Sequence, residues 1–434
     1  MTRRFLFALL TPATLLAQGA TGGGARPVSL QEAVRLAQQN APGAVQARGQ
    51  IRASDAAIRT AYGAFIPSLS LSYGSNRQGG ETFFQGQLVP FRGDPWNFNR
   101  GISSNLELFD GGRRLFQLRS ARAGLTAAES NERLQQFRIA LDVKQQYFNV
   151  LAARESRAAA LAQLAQSEEQ LKAATARVGA GAATVSDSLR SVIQVGNARL
   201  ALLTAENTLR VSNANLTRLL GTPFEVTAED LPDSLLPRVS VDSGDVAGAV
   251  ESAPAVVQAR AELAAASASL RAARTPYLPV LNMSYNLSGS RTDKNFALSG
   301  GEYATAKALR FTLQYPLFNG FTREENVTRA SVAERNAEAQ LRDARLAVQQ
   351  QLTQFLGALS LAQERAAIQV ASVAAAEEDL RVQQQRYSLG ASTLLDVLTS
   401  QSQLNSARAA LIQARYDARV AKAQIESIIG RDLP

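Results

Sequence analysis

The stretch RVGAGAATVSD, residues 177–187, returns as RYSLGASTLLD at residues 386–396. Arg177 and Arg386 are 209 positions apart, as are Gly181 and Gly390, and Asp187 and Asp396. The same shift carries LFDGG (108–112) onto LFNGF (317–321) and LLG (219–221) onto IIG (428–430). Upstream the shift is 212: APGAVQAR (41–48) matches APAVVQAR (253–260), and IPSLSLSY (66–73) matches LPVLNMSY (278–285). The change of three falls between Tyr73 and Leu108, where a surface loop is expected. One structural unit is therefore written twice, and its period governs every later assignment.

Each copy has four parts. A helix at 41–63 and at 253–274 stops before Pro67 and before Pro276 with Pro279. A β-hairpin follows, because SLSLSY (68–73) and LNMSYNLS (281–288) alternate apolar and polar residues, as do ISSNLELF (102–109) and ALRFTLQYPLF (308–318). Leu281, Met283, Tyr285 and Leu287 share one face, and Asn282, Ser284, Asn286 and Ser288 the other. A helix at about 113–177 and 322–386 comes next, spanning roughly 100 Å at 1.5 Å per residue. A returning helix at about 184–220 and 393–429 closes the unit. Apolar residues step by seven along these helices (Leu134, Leu141, Phe148; Val373, Leu380, Tyr387; Val195, Leu202, Leu209, Leu216), the period of helices that supercoil. The opening stretches are the bends between antiparallel helices, with Gly181 and Gly390 free to take positive φ and Ser186 or Thr393 placed to cap the next helix. The short helix is expected to stack end to end on the returning helix beside the long one.

The expected organisation is a signal peptide at 1–20, a first repeat at 21–221, a linker at 222–250 and a second repeat at 251–434. Strands are expected at about 66–76, 99–109, 278–290 and 303–318, with hairpin tips at about 178–186 and 387–395. Arg3 and Arg4 before the apolar stretch 5–16, then small residues to Ala20, give the secretory pattern. The linker lacks helical period, and SLQEAVRLAQQN (29–40) reads as a short capped helix beside it.

Composition removes whole classes of chemistry. The chain has 434 residues, no Cys and no His. No thiol nucleophile, thiolate metal site or imidazole acid–base group is available, and no convergent catalytic set is visible, so neither an enzyme nor a cofactor or metal site is expected. The net charge of +9 is spread over mixed helical faces such as SEEQLKAATAR (167–177), which argues against nucleic acid. No later run of 18 apolar residues suggests a transmembrane helix. Four strands with an apolar and a polar face cannot stand alone in lipid, because open edges leave backbone groups unpaired; a barrel shared between chains resolves this. The alternative is a non-channel periplasmic coiled-coil scaffold, which accounts for the heptads but not for the alternating strands.

With LFDGGRR and LFNGFTR after the strands, the paired turns and the duplicated order, nearly the whole mature chain resembles the TolC family of bacterial outer-membrane efflux ducts. The resemblance implies an α+β membrane protein: a homotrimer whose four strands per chain build a 12-stranded β-barrel, continued by a 12-helix α-barrel in the periplasm. It implies passive export in tripartite efflux or type I secretion. The partners would be a periplasmic adaptor (membrane fusion protein), an inner-membrane efflux pump or ABC exporter, and outer-membrane lipid. It also implies site residues. Asp396 matches a pore-lining aspartate ring. Tyr387 and Asp187 match residues that link neighbouring hairpins in the shut entrance. Ser392 stands where the family pattern has an arginine, and Thr399 where it has a second aspartate ring. Gly181, Ala182, Gly390 and Ala391 lie at the adaptor-contact tips. From the residues alone, Asp187 and Asp396 also read as helix N-terminal charges, and Tyr387 as the end of a core row.

Overall fold

A computed structural model of the chain describes residues 25–77, 79–90, 96–230, 243–297 and 300–433. The expected signal peptide and part of the linker lie outside the described residues. Along the chain the elements are β1 (Arg26–Val28), α1 (Leu30–Asn40), α2 (Pro42–Gly63), β2 (Ser68–Arg77), β3 (Glu81–Phe84), β4 (Gln87–Pro90), β5 (Trp96–Phe109), α3 (Arg113–Gly179), α4 (Val185–Leu220) and β6 (Val226–Ala228). The second copy contains α5 (Ser243–Ser252), α6 (Pro254–Arg274), β7 (Val280–Asp293), β8 (Ala304–Gln314), α7 (Thr322–Ser388) and α8 (Leu394–Ile429).

The repeat is visible in the helices: α3 and α7 are each 67 residues long, and α4 and α8 each 36. At 1.5 Å per residue the long helices run about 100 Å. The short helices abut the ends of the returning ones. Asn40 Nδ2 donates to the Leu220 carbonyl at the start of α2. At the other joint Gly430 has φ +66°, and a Cβ there would lie 2.6 Å from Pro254 Cγ. Only glycine fits, because α6 begins against that atom.

The four long strands form one antiparallel sheet in the order β2-β5-β7-β8. Its register pairs Leu71 with Ile102, Ile102 with Leu287, and Met283 with Phe311. One face therefore gathers Leu69, Leu71, Ile102, Leu106, Leu281, Met283, Leu287, Leu309, Phe311 and Leu313, and the other gathers Ser70, Ser103, Asn105, Asn282, Ser284, Asn286 and Thr312. The apolar face is open to its surroundings, with Leu71 80% exposed and Leu313 67%. A water-soluble sheet would bury that face; a lipid-facing barrel presents it.

Both strand-to-helix turns carry left-handed residues: Gly111 and Gly112 in the first copy, Gly320 and Phe321 (φ +62°) in the second. Glycine is thus not required at the last of these positions. In the first copy the Asp110 carboxylate accepts from the Gly112 and Arg114 N–H groups and pairs with Arg114 Nε at 2.9 Å, fixing the helix to the sheet.

Midway along α3, Tyr147 is fully buried, its Oη 3.0 Å from the carbonyls of Val28 and Glu229. There β1 and β6 pair in parallel, and Val28, Ala33, Ala37, Val143, Leu216 and Val226 form the first core. A second core joins Val256, Val348, Leu352, Leu359 and Ile425, and a third, smaller one lies at the tip around Leu380, Val397 and Leu404.

Four details differ from the sequence reading. The last strand ends at Gln314 instead of 318, because Pro316 offers no N–H to the ladder. The expected loop between β2 and β5 contains a second small hairpin, β3–β4. The segment read as lacking helical period ends in α5, too short at ten residues for its period to show. Finally, Ser186 caps nothing; Thr184 caps α4, as described next.

Candidate functional site

The candidate site is the pair of turns at the end of the molecule opposite the sheet. Each long helix closes with the same hydrogen bonds. The Gly181 N–H donates to the Val178 carbonyl and the Ala182 N–H to Arg177, while Gly390 donates to Tyr387 and Ala391 to Arg386. Gly181 and Gly390 have φ of +71° and +73°, and a Cβ at either would meet open space, so glycine serves the backbone conformation there and not close packing. Gly181, Ala182, Gly390 and Ala391 are all exposed at the tip.

The helix that follows each turn opens with a capping box. The Asp187 N–H donates to Thr184 Oγ1, while Asp187 Oδ2 accepts from the Thr184 N–H and hydroxyl. Thr393 and Asp396 repeat this arrangement. The second copy adds Ser392 Oγ, 3.0 Å from Asp396 Oδ2 and 3.1 Å from Gln383 Oε1. Hydrogen bonds from the Thr393 N–H, the Thr393 hydroxyl and Ser392 hold the Asp396 carboxyl below its ordinary range, with the Arg386 charge helping. Among the described residues its carboxylate accepts at Oδ2 only, and the residue is exposed. Asp187 and Asp396 are thus helix N-terminal groups.

Tyr387 packs against the tip core, and its hydroxyl is buried with no hydrogen-bond partner among the described residues. It is not joined to Asp187, whose carboxylate serves its own cap. The partner across the hairpins is instead Arg177. Its guanidinium carbon lies 4.6 Å from the Tyr387 ring centroid, and Nη1 donates to the Tyr387 carbonyl at 3.3 Å. In the sequence Arg177 stood out only as the repeat counterpart of Arg386. The missed signal was asymmetry between the copies: Val178 stands where the second copy has Tyr387, so only Arg177 has an aromatic ring to reach.

Farther up, α3 is joined to α8 by Lys144 Nζ on the buried Glu426 carboxylate (2.5 Å) and by Tyr416 Oη on Glu155 (2.5 Å). Burial, then that hydrogen bond, pushes the Tyr416 phenol up and keeps it protonated as a donor. Between those ties and the tip, a groove lined by Ser156, Gln163, Thr204, Asn405 and Arg408 separates the two hairpins.

Among the described residues no helix is long and apolar enough to cross a membrane. A sheet with an apolar outer face and a Ser/Asn inner face, carried on two helical hairpins about 100 Å long, defines one subunit of an outer-membrane channel-tunnel. The chain belongs to the outer membrane efflux protein family, whose model matches residues 33–222 and 247–431. It is 28% identical over 325 residues to protein CyaE of Bordetella pertussis, a match covering 74% of this chain and 66% of that one. It is 26% identical over 437 residues to the outer membrane efflux protein BepC of Brucella suis, covering 97% and 90%. The fold matches the crystal structure of CusC with a TM-score of 0.82 at 17% identity, covering 96% of each chain. Channels of this family are homotrimers of the outer membrane, extending into the periplasm, that work with a periplasmic adaptor and an inner-membrane pump; this chain is one such efflux channel.

Proposed function

We propose that the turns at 178–186 and 387–395 form the periplasmic entrance of the duct, and that export through it is passive, without catalysis. Asp396 supplies a carboxylate ring there, one per subunit. Gly181, Ala182, Gly390 and Ala391 present the tips that the adaptor touches. The contact of Arg177 with Tyr387 holds the two hairpins of a subunit together when the entrance is shut. Asp187 and Ser392 act one step back, by fixing the helix starts: Asp187 caps α4, and Ser392 adds a hydrogen bond to Asp396.

The observation that carries this reading is the exposed Asp396 beside a two-residue inter-hairpin contact. Like charges crowded around a narrow axis attract cations. Single-channel recording in planar bilayers tests the proposal. A cation-selective channel that trivalent cations block, with both properties lost in Asp396→Asn, is the expected result. Unchanged selectivity in that variant would leave Asp396 as a capping residue alone.

A further inference from the structure

The lipid-facing side of the sheet carries cations at its outer end. Leu281 to Leu287 form the apolar rows of β7, and the next rows on the same face are Gly289 opposite Arg100, then Arg291 opposite Phe98. Lys307 lies on that face too, opposite Leu287. From Leu281 to Gly289 is about 27 Å along the strand, or roughly 20 Å in height at barrel tilt, so Arg100 stands near the rim of an apolar band about 25 Å tall. The helices leave the other end of the sheet, so this rim faces the outer leaflet.

The two guanidiniums are held, but not neutralised. Arg100 lies over the Tyr303 ring at 4.0 Å from its centroid. Arg291 lies 5.2 Å from the same centroid and 4.5 Å from that of Phe98. The two charges are therefore at most 9.2 Å apart, the sum of their distances to Tyr303. Gly289 makes room for this: a Cβ there would sit 3.1 Å from Arg100 Nε. Arg291 donates one N–H to the Ala297 carbonyl at 2.6 Å, while its Nε is buried without an acceptor among the described residues. No ion pair between Arg100, Arg291 or Lys307 and a carboxylate is present among the described residues. Asp293, the carboxylate on the next row, accepts instead from the Asn295 N–H at 3.3 Å.

Two neighbouring cations at a lipid surface without a counter-charge are costly unless an anion joins them. Aromatic rings fix the guanidinium planes in advance, which lowers the ordering cost of bidentate bonds to phosphate. We propose that Arg100 and Arg291, with Lys307 beside them, bind the phosphate of a phosphorylated lipid headgroup in the outer leaflet. Arg100 and Arg291 lie on β5 and β7, the two central strands. The site is complete within one chain, and a trimer carries three. The inference rests on the outer-membrane orientation of the channel.

Native mass spectrometry of the intact trimer tests it, with the diphosphorylated glucosamine lipid of the outer leaflet (lipid A) and its dephosphorylated form as probes. Reading adducts on trimers only keeps a failure of assembly distinct from a failure of this site. Wild-type trimers should retain up to three phosphorylated lipids and few dephosphorylated ones. Arg100→Gln should lower the phosphorylated adduct about tenfold, the loss expected for one charge-assisted hydrogen bond. Arg100 is exposed and its folding role is slight, so the variant should assemble. Arg310→Gln, on the lumen face opposite Ser284, should retain the lipid. Equal retention of both lipids, full retention by Arg100→Gln, or displacement by millimolar inorganic phosphate would each overturn the proposal.

Discussion

Arg177 of the first hairpin lies over Tyr387 of the second, 4.6 Å from the ring centroid, and donates to its carbonyl. The Tyr387 hydroxyl does not take part: it is buried within the subunit and makes no hydrogen bond among the described residues. Removing the hydroxyl and removing the cation should therefore differ. Arg177→Gln should raise the open probability in planar bilayers about two- to fivefold, the equivalent of about 0.5–1 kcal/mol, the lower part of the cation–π range. Tyr387→Phe should leave conductance at the wild-type level. A rise in Tyr387→Phe as large as in Arg177→Gln would assign the link to the hydroxyl.

Asp396 gives a pH dependence with a definite sign. Its carboxyl is held low by the Thr393 N–H, the Thr393 hydroxyl and Ser392. A depressed pKa favours the ionised form, so the cap is fully in place above the ordinary aspartate range near pH 4 and weakens as pH falls through the lower folded value. Cation selectivity should follow the same course. It should fade as pH falls through the carboxylate range, at a point set by the cap working against the mutual repulsion of the three carboxylates, and Ser392→Ala should move the fading to higher pH. Reversal potentials measured across a pH series check both statements.

The two faces of the sheet should respond oppositely to charge. Tyr285→Arg and Leu309→Arg, a facing pair midway between Leu281 and Gly289, place a cation in lipid near the bilayer midplane and should cost about 2–4 kcal/mol. Asn282→Arg and Thr312→Arg, on the opposite face, should assemble normally. The yield of heat-resistant trimer in outer-membrane fractions distinguishes the sets, and equal losses would reverse the assignment of the faces.

Gly430 and Gly181 share a left-handed backbone but not their surroundings. Alanine at either should cost about 1–2 kcal/mol for the backbone alone. Gly430→Ala must also displace Pro254, 2.6 Å from the new carbon, whereas Gly181→Ala meets open space. Thermal unfolding should place Gly430→Ala clearly below Gly181→Ala. Equal midpoints would show that the joint between α8 and α6 yields freely.

Sequence by itself determined the repeat, the helices and the two faces of the strands. These are local properties: periods of 3.5 and 2 read directly as helix seam and sheet face, and glycine or proline marks where each must stop. Helix ends fall within two residues of the sequence reading at 63, 179, 220, 274, 388 and 429. The turn aspartates were legible as helix N-terminal charges because each follows its bend at once, and Thr393 was legible as a cap, whereas the cap of α4 is Thr184 and not Ser186. What only the tertiary structure decided involves groups far apart in the chain. Arg177 meets Tyr387 across 210 positions, Lys144 meets Glu426 across 282, and Tyr416 meets Glu155 across 261. Arg100 and Arg291 share one ring only because β5 and β7, from different copies, are neighbours in the sheet. Periodicity places a side chain on a face of its own element; which side chain it meets depends on how the two copies pack, and each copy alone carries half of that information.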